Sequence, residues 1–196
     1  MIKKLANSMA SYYAYNQYIP MGEINSYVYG FEILLSTVIN IALVLIIASF
    51  FHSLFESVYF MGTFILIRNA GGGYHAKSHI ACILTFTTIF TVFCLMFNIL
   101  SNYIPHMYNI ACSISSIIII WYIAPVEAPN KPLSTSKRKR YKKISVMYAF
   151  GFLILALITN MINILPNKLI YVFSGEFAAS FTLIVGAIKR KEVVYE

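Results

Sequence analysis

Residues 68 to 82 read Arg68-Asn69-Ala70-Gly71-Gly72-Gly73-Tyr74-His75-Ala76-Lys77-Ser78-His79-Ile80-Ala81-Cys82, a polar stretch set between long apolar runs. Histidine and cysteine are the side chains most readily tuned to act near neutral pH. A thiolate with an imidazole in hydrogen-bond reach makes a nucleophile and base able to cleave an acyl bond. Three consecutive glycines open backbone conformations closed to other residues. Cys82 lies about one turn past Ser78, a residue type that caps helix starts, with Lys77 and Arg68 nearby. A thiol at the positive end of a helix dipole and close to cations is in a setting that favours the thiolate. The other two cysteines, Cys94 and Cys112, sit inside apolar runs, where cysteine behaves as a small buried hydrophobe. No CxxC pair is present, so no disulfide framework is expected.

His75 and Cys82 are seven residues apart, which on one continuous helix separates them by about 10 Å along the axis. Proton transfer needs about 3 Å. His75 can serve Cys82 only if the glycines let the chain fold back over the helix end. His79, at i,i+3 from Cys82, is the rival that a regular helix would place beside the sulfur. Spacing alone leaves both histidines open. His75, His79 and Cys82 also have i, i+4, i+7 spacing, a possible ligand set. The chain has no HExxH and no Asp, and none of its seven Glu residues is placed to act as a metal-site base. Neither a metal nor another cofactor is expected.

The elements that must position this chemistry are membrane spans. Hydrophobic residues make up 59% of the chain and charged residues 11%, and the apolar residues gather into runs near the 20 residues that a spanning helix requires. These are Phe31 to Phe51, Leu54 to Ile67, Ile80 to Ile104, Tyr108 to Val126, Ile144 to Leu165 and Leu169 to Ile188. The second is only just long enough. The fold class predicted is an all-α polytopic membrane bundle of about six spans, one short, in a single domain over residues 1–196. Residues 1–29 mix Lys3, Lys4, Leu5, Met9, Tyr12, Tyr13 and Tyr18 with polar residues and lack the compact core of a cleavable signal, so they read as an amphipathic interfacial segment.

Six crossings put Lys3, Lys4, Arg68, Lys77, Lys131, Lys137, Arg138, Lys139, Arg140, Lys142, Lys143, Lys189, Arg190 and Lys191 on one face, with only Lys168 on the other. The positive-inside rule makes that face cytoplasmic. Both termini and the glycine-rich loop at 68–79 are then expected in the cytoplasm. The net charge of +8 is accounted for by topology and by anionic lipid headgroups. No nucleic-acid partner is expected.

A second loop, 125–143, lies on the same side. It begins Ala124-Pro125-Val126-Glu127-Ala128-Pro129-Asn130-Lys131-Pro132 and continues into Lys137-Arg138-Lys139-Arg140-Tyr141-Lys142-Lys143. The prolines end a helix and hold extended chain. The basic run, Lys131 included, would draw an anionic peptide toward the Cys–His site. Glu176 stands near the middle of the last apolar run; its expected state is protonated or hydrogen-bonded to a hydroxyl of a neighbouring helix. The small residues of Ser113-Ile114-Ser115-Ser116 are a candidate helix-contact face.

The pattern Arg68...Gly72-Gly73-Tyr74-His75...Cys82, the later Ala124-Pro125...Lys131-Pro132 with trailing cations, and the multi-span layout together resemble the AgrB (accessory gene regulator protein B) family. The resemblance covers most of the chain. It implies a membrane cysteine endopeptidase, a thiol protease of Gram-positive quorum sensing, that removes the acidic C-terminal tail of an AgrD-like propeptide on the way to a cyclic autoinducing peptide. On the matching positions Cys82 becomes the nucleophile and His75 the general base, with Arg68, Gly72 and Gly73 supporting the site. His79 matches no catalytic position. A homodimer is also implied. The rival from another class is a small multi-pass transporter or channel in which the glycines break a helix and the basic loop only anchors topology.

Overall fold

A computed structural model describes residues 2–72, 79–100, 107–126, 134–162 and 169–195, of which 79, 100 and 189–195 are described by their backbone. It is an all-α structure, with seven α-helices among the described residues: α1 (Ile2–Tyr15), α2 (Ile24–Phe50), α3 (Leu54–Gly71), α4 (His79–Leu100), α5 (Tyr108–Ile123), α6 (Thr135–Met161) and α7 (Ile170–Tyr195). Each of the six apolar runs became one helix, and no strand occurs among the described residues. Among the described residues four helices are long and apolar enough to cross a membrane: Met21–Phe50, Ile80–Ile99, Thr135–Met161 and Ile170–Ile188. The protein is a membrane helical bundle. With 16 residues α5 is shorter, about 24 Å at 1.5 Å per residue, and α3 has 18 residues with Glu56 and Arg68 near its ends.

Helix ends depart from the apolar runs. The segment 1–29 is split: α1 stops at Tyr15, a 3₁₀ turn spans Met21–Glu23, and Ile24 already belongs to α2. α6 begins nine residues before Ile144 and includes the basic run. Both shifts have one cause. Hydropathy marks the part of a helix that lipid can cover, whereas backbone hydrogen bonding propagates through polar residues once a helix is nucleated.

The chain divides into two compact units, 1–47 with 76–88, and 48–75 with 89–196. In the first, Ala6, Ala10 and Ala14 form the buried stripe of α1 while Leu5, Tyr12 and Tyr15 are exposed. Tyr13 stacks on Phe31 of α2 with ring centroids 5.7 Å apart, and Thr87 Oγ1 of α4 donates to Asn40 Oδ1 of α2 at 3.4 Å.

In the second unit α7 is the central element, packed on α3, α5 and α6. Its crossing with α3 is close because residue 175 is glycine: a Cβ there would lie 2.5 Å from the Phe60 carbonyl oxygen. Around that crossing Phe60 meets Phe64 (6.3 Å), Phe90 (5.4 Å) and Phe93 (5.6 Å), and Phe97 meets Tyr171 at 4.8 Å. On the other flank Cys112 packs with Ala156, Val172 and Phe173. Along α5 and α7, Tyr108 bonds Ser174 (2.9 Å), Ser113 bonds Glu176 (2.9 Å) and Ser116 bonds Ser180 (3.2 Å). Residue numbers rise together in these pairs, so α5 and α7 run parallel.

Candidate active site

The glycine motif begins where α3 ends. Gly72 N–H donates to the Arg68 carbonyl at 2.9 Å, and Gly72 then turns to φ +74° and ψ −138°, a conformation open in practice to glycine alone. A Cβ at 72 would also strike the Val126 carbonyl oxygen. Val126 is there because Ala124, the residue before Pro125, ends α5 in extended chain (φ −72°, ψ 147°), as the proline ring requires. Val126 N–H donates to the Gly71 carbonyl at 2.9 Å, and Gly72 and Val126 form a parallel bridge. Gly71 in turn lies against Leu183 of α7 and Ser145 of α6: its notional Cβ is 3.3 Å from the leucine and 3.6 Å from the serine hydroxyl. Two motifs more than fifty residues apart in sequence therefore meet at their first residues, seated on α6 and α7.

The same end of this unit carries positive charge. The Arg68 guanidinium lies over the Phe64 ring, one turn back on α3, at 5.7 Å from its centroid, a cation–π geometry. Ser134 caps α6 by accepting from Lys137 N–H at 3.4 Å, and Lys137, Arg138, Lys139, Arg140, Lys142 and Lys143 are all exposed. Arg68 lies in the last turn of α3, where a cation complements the negative end of the helix dipole.

Cys82 belongs to the other compact unit. It is the fourth residue of α4 and half-buried, between exposed Ile80 and buried Ile83. Thr85, one turn on, donates to the Ala81 carbonyl at 2.7 Å. Cys94 and Cys112 are buried, the former 3.8 Å from Ser53 Oγ, which agrees with their reading as packing residues. Gly73, His75, Lys77, Ser78 and Lys131 lie outside the described residues, as does the side chain of His79. Among the described residues no group of three His, Cys, Asp or Glu side chains forms a metal site.

The family model of Accessory gene regulator B matches residues 2–186. The chain belongs to the AgrB family. The relatives of this AgrB-family protein include AgrB-like protein 2 of Clostridium perfringens (strain 13 / Type A), 32% identical over 122 residues, 59% of this chain and 56% of that one. Another is an AgrB-like protein of Lactiplantibacillus plantarum (strain ATCC BAA-793 / NCIMB 8826 / WCFS1), 25% identical over 150 residues, 74% of each chain. The match thus spans just over half the length of the Clostridium relatives. No solved structure matches. The AgrB family is associated with AgrD processing in quorum sensing.

Sequence reasoning did not find the seat of the loop: Gly71, Val126, Ser145 and Leu183 carry no chemical signature that would pair them. It anticipated the hydroxyl partner of Glu176, which is Ser113. Part of the Ser113-Ile114-Ser115-Ser116 stretch is occupied inside the chain, because Ser113 and Ser116 both bond to α7.

Proposed function

We propose that this AgrB-family protein is a cysteine endopeptidase of the cell membrane that cleaves the acidic C-terminal tail from an AgrD-like propeptide. The observation that carries the reading is Cys82. Of three cysteines two are buried in the apolar interior, and Cys82 alone stands half-buried at a helix start, directly after the glycine motif of a chain matched to the family over residues 2–186.

In the proposed reaction His75 takes the thiol proton of Cys82. The thiolate attacks the scissile carbonyl, a C–S bond forms, the C–N bond breaks, and the leaving amine of the acidic tail takes the proton from His75. A nucleophilic side chain within the peptide, usually cysteine, then receives the acyl group and closes a thiolactone ring. One thioester replaces another, so this second transfer has little free-energy cost. Gly72 and Gly73 let the loop fold back so that His75 reaches the sulfur, and Arg68 holds the loop's start. Lys131, Lys137, Arg138, Lys139 and Arg140 draw in the acidic tail. The clustering of α6 cations at the end where α3 and α5 finish supports a cytoplasmic catalytic loop. Anionic lipid contact, a homodimer and a Gram-positive host complete the reading.

The test is cleavage of a co-expressed propeptide. Cys82→Ala and Cys82→Ser are expected to insert normally and to leave the propeptide uncut. Retention of cleavage by either variant, or an intact protein that never cuts the propeptide, would refute the peptidase reading.

A further inference from the structure

Glu176 is fully buried at the α5–α7 contact. Ser113 Oγ donates to its Oε2 at 2.9 Å, while its Oε1 has no hydrogen-bond partner among the described residues. One turn before Ser113 on the same face of α5 stands Asn109, also fully buried, with neither Oδ1 nor Nδ2 partnered among the described residues. Native interiors rarely leave such atoms without a partner. The pairs Tyr108–Ser174 and Ser116–Ser180 set Glu176 opposite residues 110–112 of α5, between the turns that carry Asn109 and Ser113.

An ionised carboxylate in such surroundings requires a counter-charge. Among the described residues the neighbouring helices bring none to this depth; His106 and Lys168 lie outside the described residues. Residues 108–123 of α5, 144–161 of α6 and 170–188 of α7 contain no Lys, Arg or His. Their titratable side chains are Tyr108, Cys112 and Tyr122 on α5, Tyr148 on α6, and Tyr171 on α7; α3 adds Glu56, Tyr59 and Arg68. Arg68 is engaged at the loop end, over Phe64. What remains is a set of hard oxygen donors with one negative charge. Oxygen sets of this kind suit hard cations, and a single carboxylate is neutralised by one positive charge, whereas a divalent ion would leave an uncompensated charge buried.

We propose that the α5–α7 interface is a binding site for a small hard monovalent cation, sodium, held between Glu176 Oε1 and Asn109 Oδ1, with Ser113 fixing the carboxylate. The hydroxyl pairs Tyr108–Ser174 and Ser116–Ser180 flank it along the interface. The site is independent of the peptidase reading and needs no propeptide for its test.

Dicyclohexylcarbodiimide reacts with protonated carboxyl groups in apolar surroundings and is blocked when a cation occupies the carboxylate. The full-length protein in detergent is treated with it across a sodium chloride series, with choline chloride holding ionic strength constant, and the adduct on the Glu176 peptide is measured by mass spectrometry. Labelling is expected without sodium and suppression with it. Asn109→Ala should raise the half-suppressing sodium concentration at least tenfold, and Glu176→Gln should remove the adduct. Asn109→Ser, which also deletes the amide oxygen, serves if the alanine variant does not purify as one species. Labelling indifferent to sodium would show a carboxyl that carries only a proton and would overturn the proposal. Absence of labelling in sodium-free buffer, or unaltered suppression in both Asn109 variants, would overturn it as well.

Discussion

Gly72→Ala is the sharpest test of how the glycine loop is seated. The wild-type residue sits at φ +74° with its hydrogen-side face against the Val126 carbonyl oxygen, so an added Cβ meets backbone that no rotamer change can clear. Keeping the backbone there with a side chain costs about 1–3 kcal/mol. Letting Val126 withdraw sacrifices its N–H bond to Gly71, about 0.5–1.5 kcal/mol. Together the seated arrangement loses roughly 2–4 kcal/mol, which at about 1.4 kcal/mol per decade lowers the population of correctly placed loops by roughly 30- to 700-fold. Release of the acidic tail from co-expressed propeptide, followed over time, should slow by a factor in that range. Melting in detergent, followed by the single Trp121, should fall by less than the full figure, because the loop start can release locally. Gly151→Ala is the control: its Cβ would meet nothing within 4 Å, and alanine in a helix interior gains about 0.5–1 kcal/mol over glycine. A Gly72→Ala protein that cleaves and melts like the parent would refute the seat at Val126.

Gly175→Ala should force α3 and α7 apart at Phe60 and lower stability by about 1–3 kcal/mol, whereas Gly62→Ala, with open space around its Cβ, should not; equal melting of the two variants would discount the crossing. Replacing Lys137, Arg138, Lys139 and Arg140 by Gln should raise KM for the acidic-tailed propeptide about tenfold at low salt, leave kcat alone and flatten the salt dependence. An equal rise with a neutral-tailed propeptide would argue against tail recognition. His75→Gln should reduce cleavage about 10²–10⁴-fold while His79→Gln stays near wild type, and the opposite ranking would make His79 the base.

The sequence by itself determined the helices and singled out the candidate reactive residues. Runs such as Ile80 to Ile104 can satisfy their backbone in lipid only as helices, so composition dictates the element. The cysteines sorted correctly into two packing residues and one at a helix start, since Cys94 and Cys112 stand within apolar runs and Cys82 at the boundary of one. Helix limits were less legible: the basic residues of α6 are helical although no lipid can cover them, because propagation needs only the next hydrogen bond.

Tertiary structure alone decided what lies against what. Nothing in the two motifs says that Gly72 must meet Val126, or that Leu183 and Ser145 form the floor beneath Gly71. Those contacts follow from α3, α5 and α7 crossing closely enough to bring their ends together, and the crossing depends on the missing side chain at Gly175. Likewise Glu176 announced itself as a charge in an apolar run, but its serine partner, and an Asn109 with no partner among the described residues one turn from that serine, emerge only when α5 and α7 lie parallel in register. Periodicity encodes which face of a helix is apolar; which neighbour that face meets is a sum of small packing terms spread over the whole bundle.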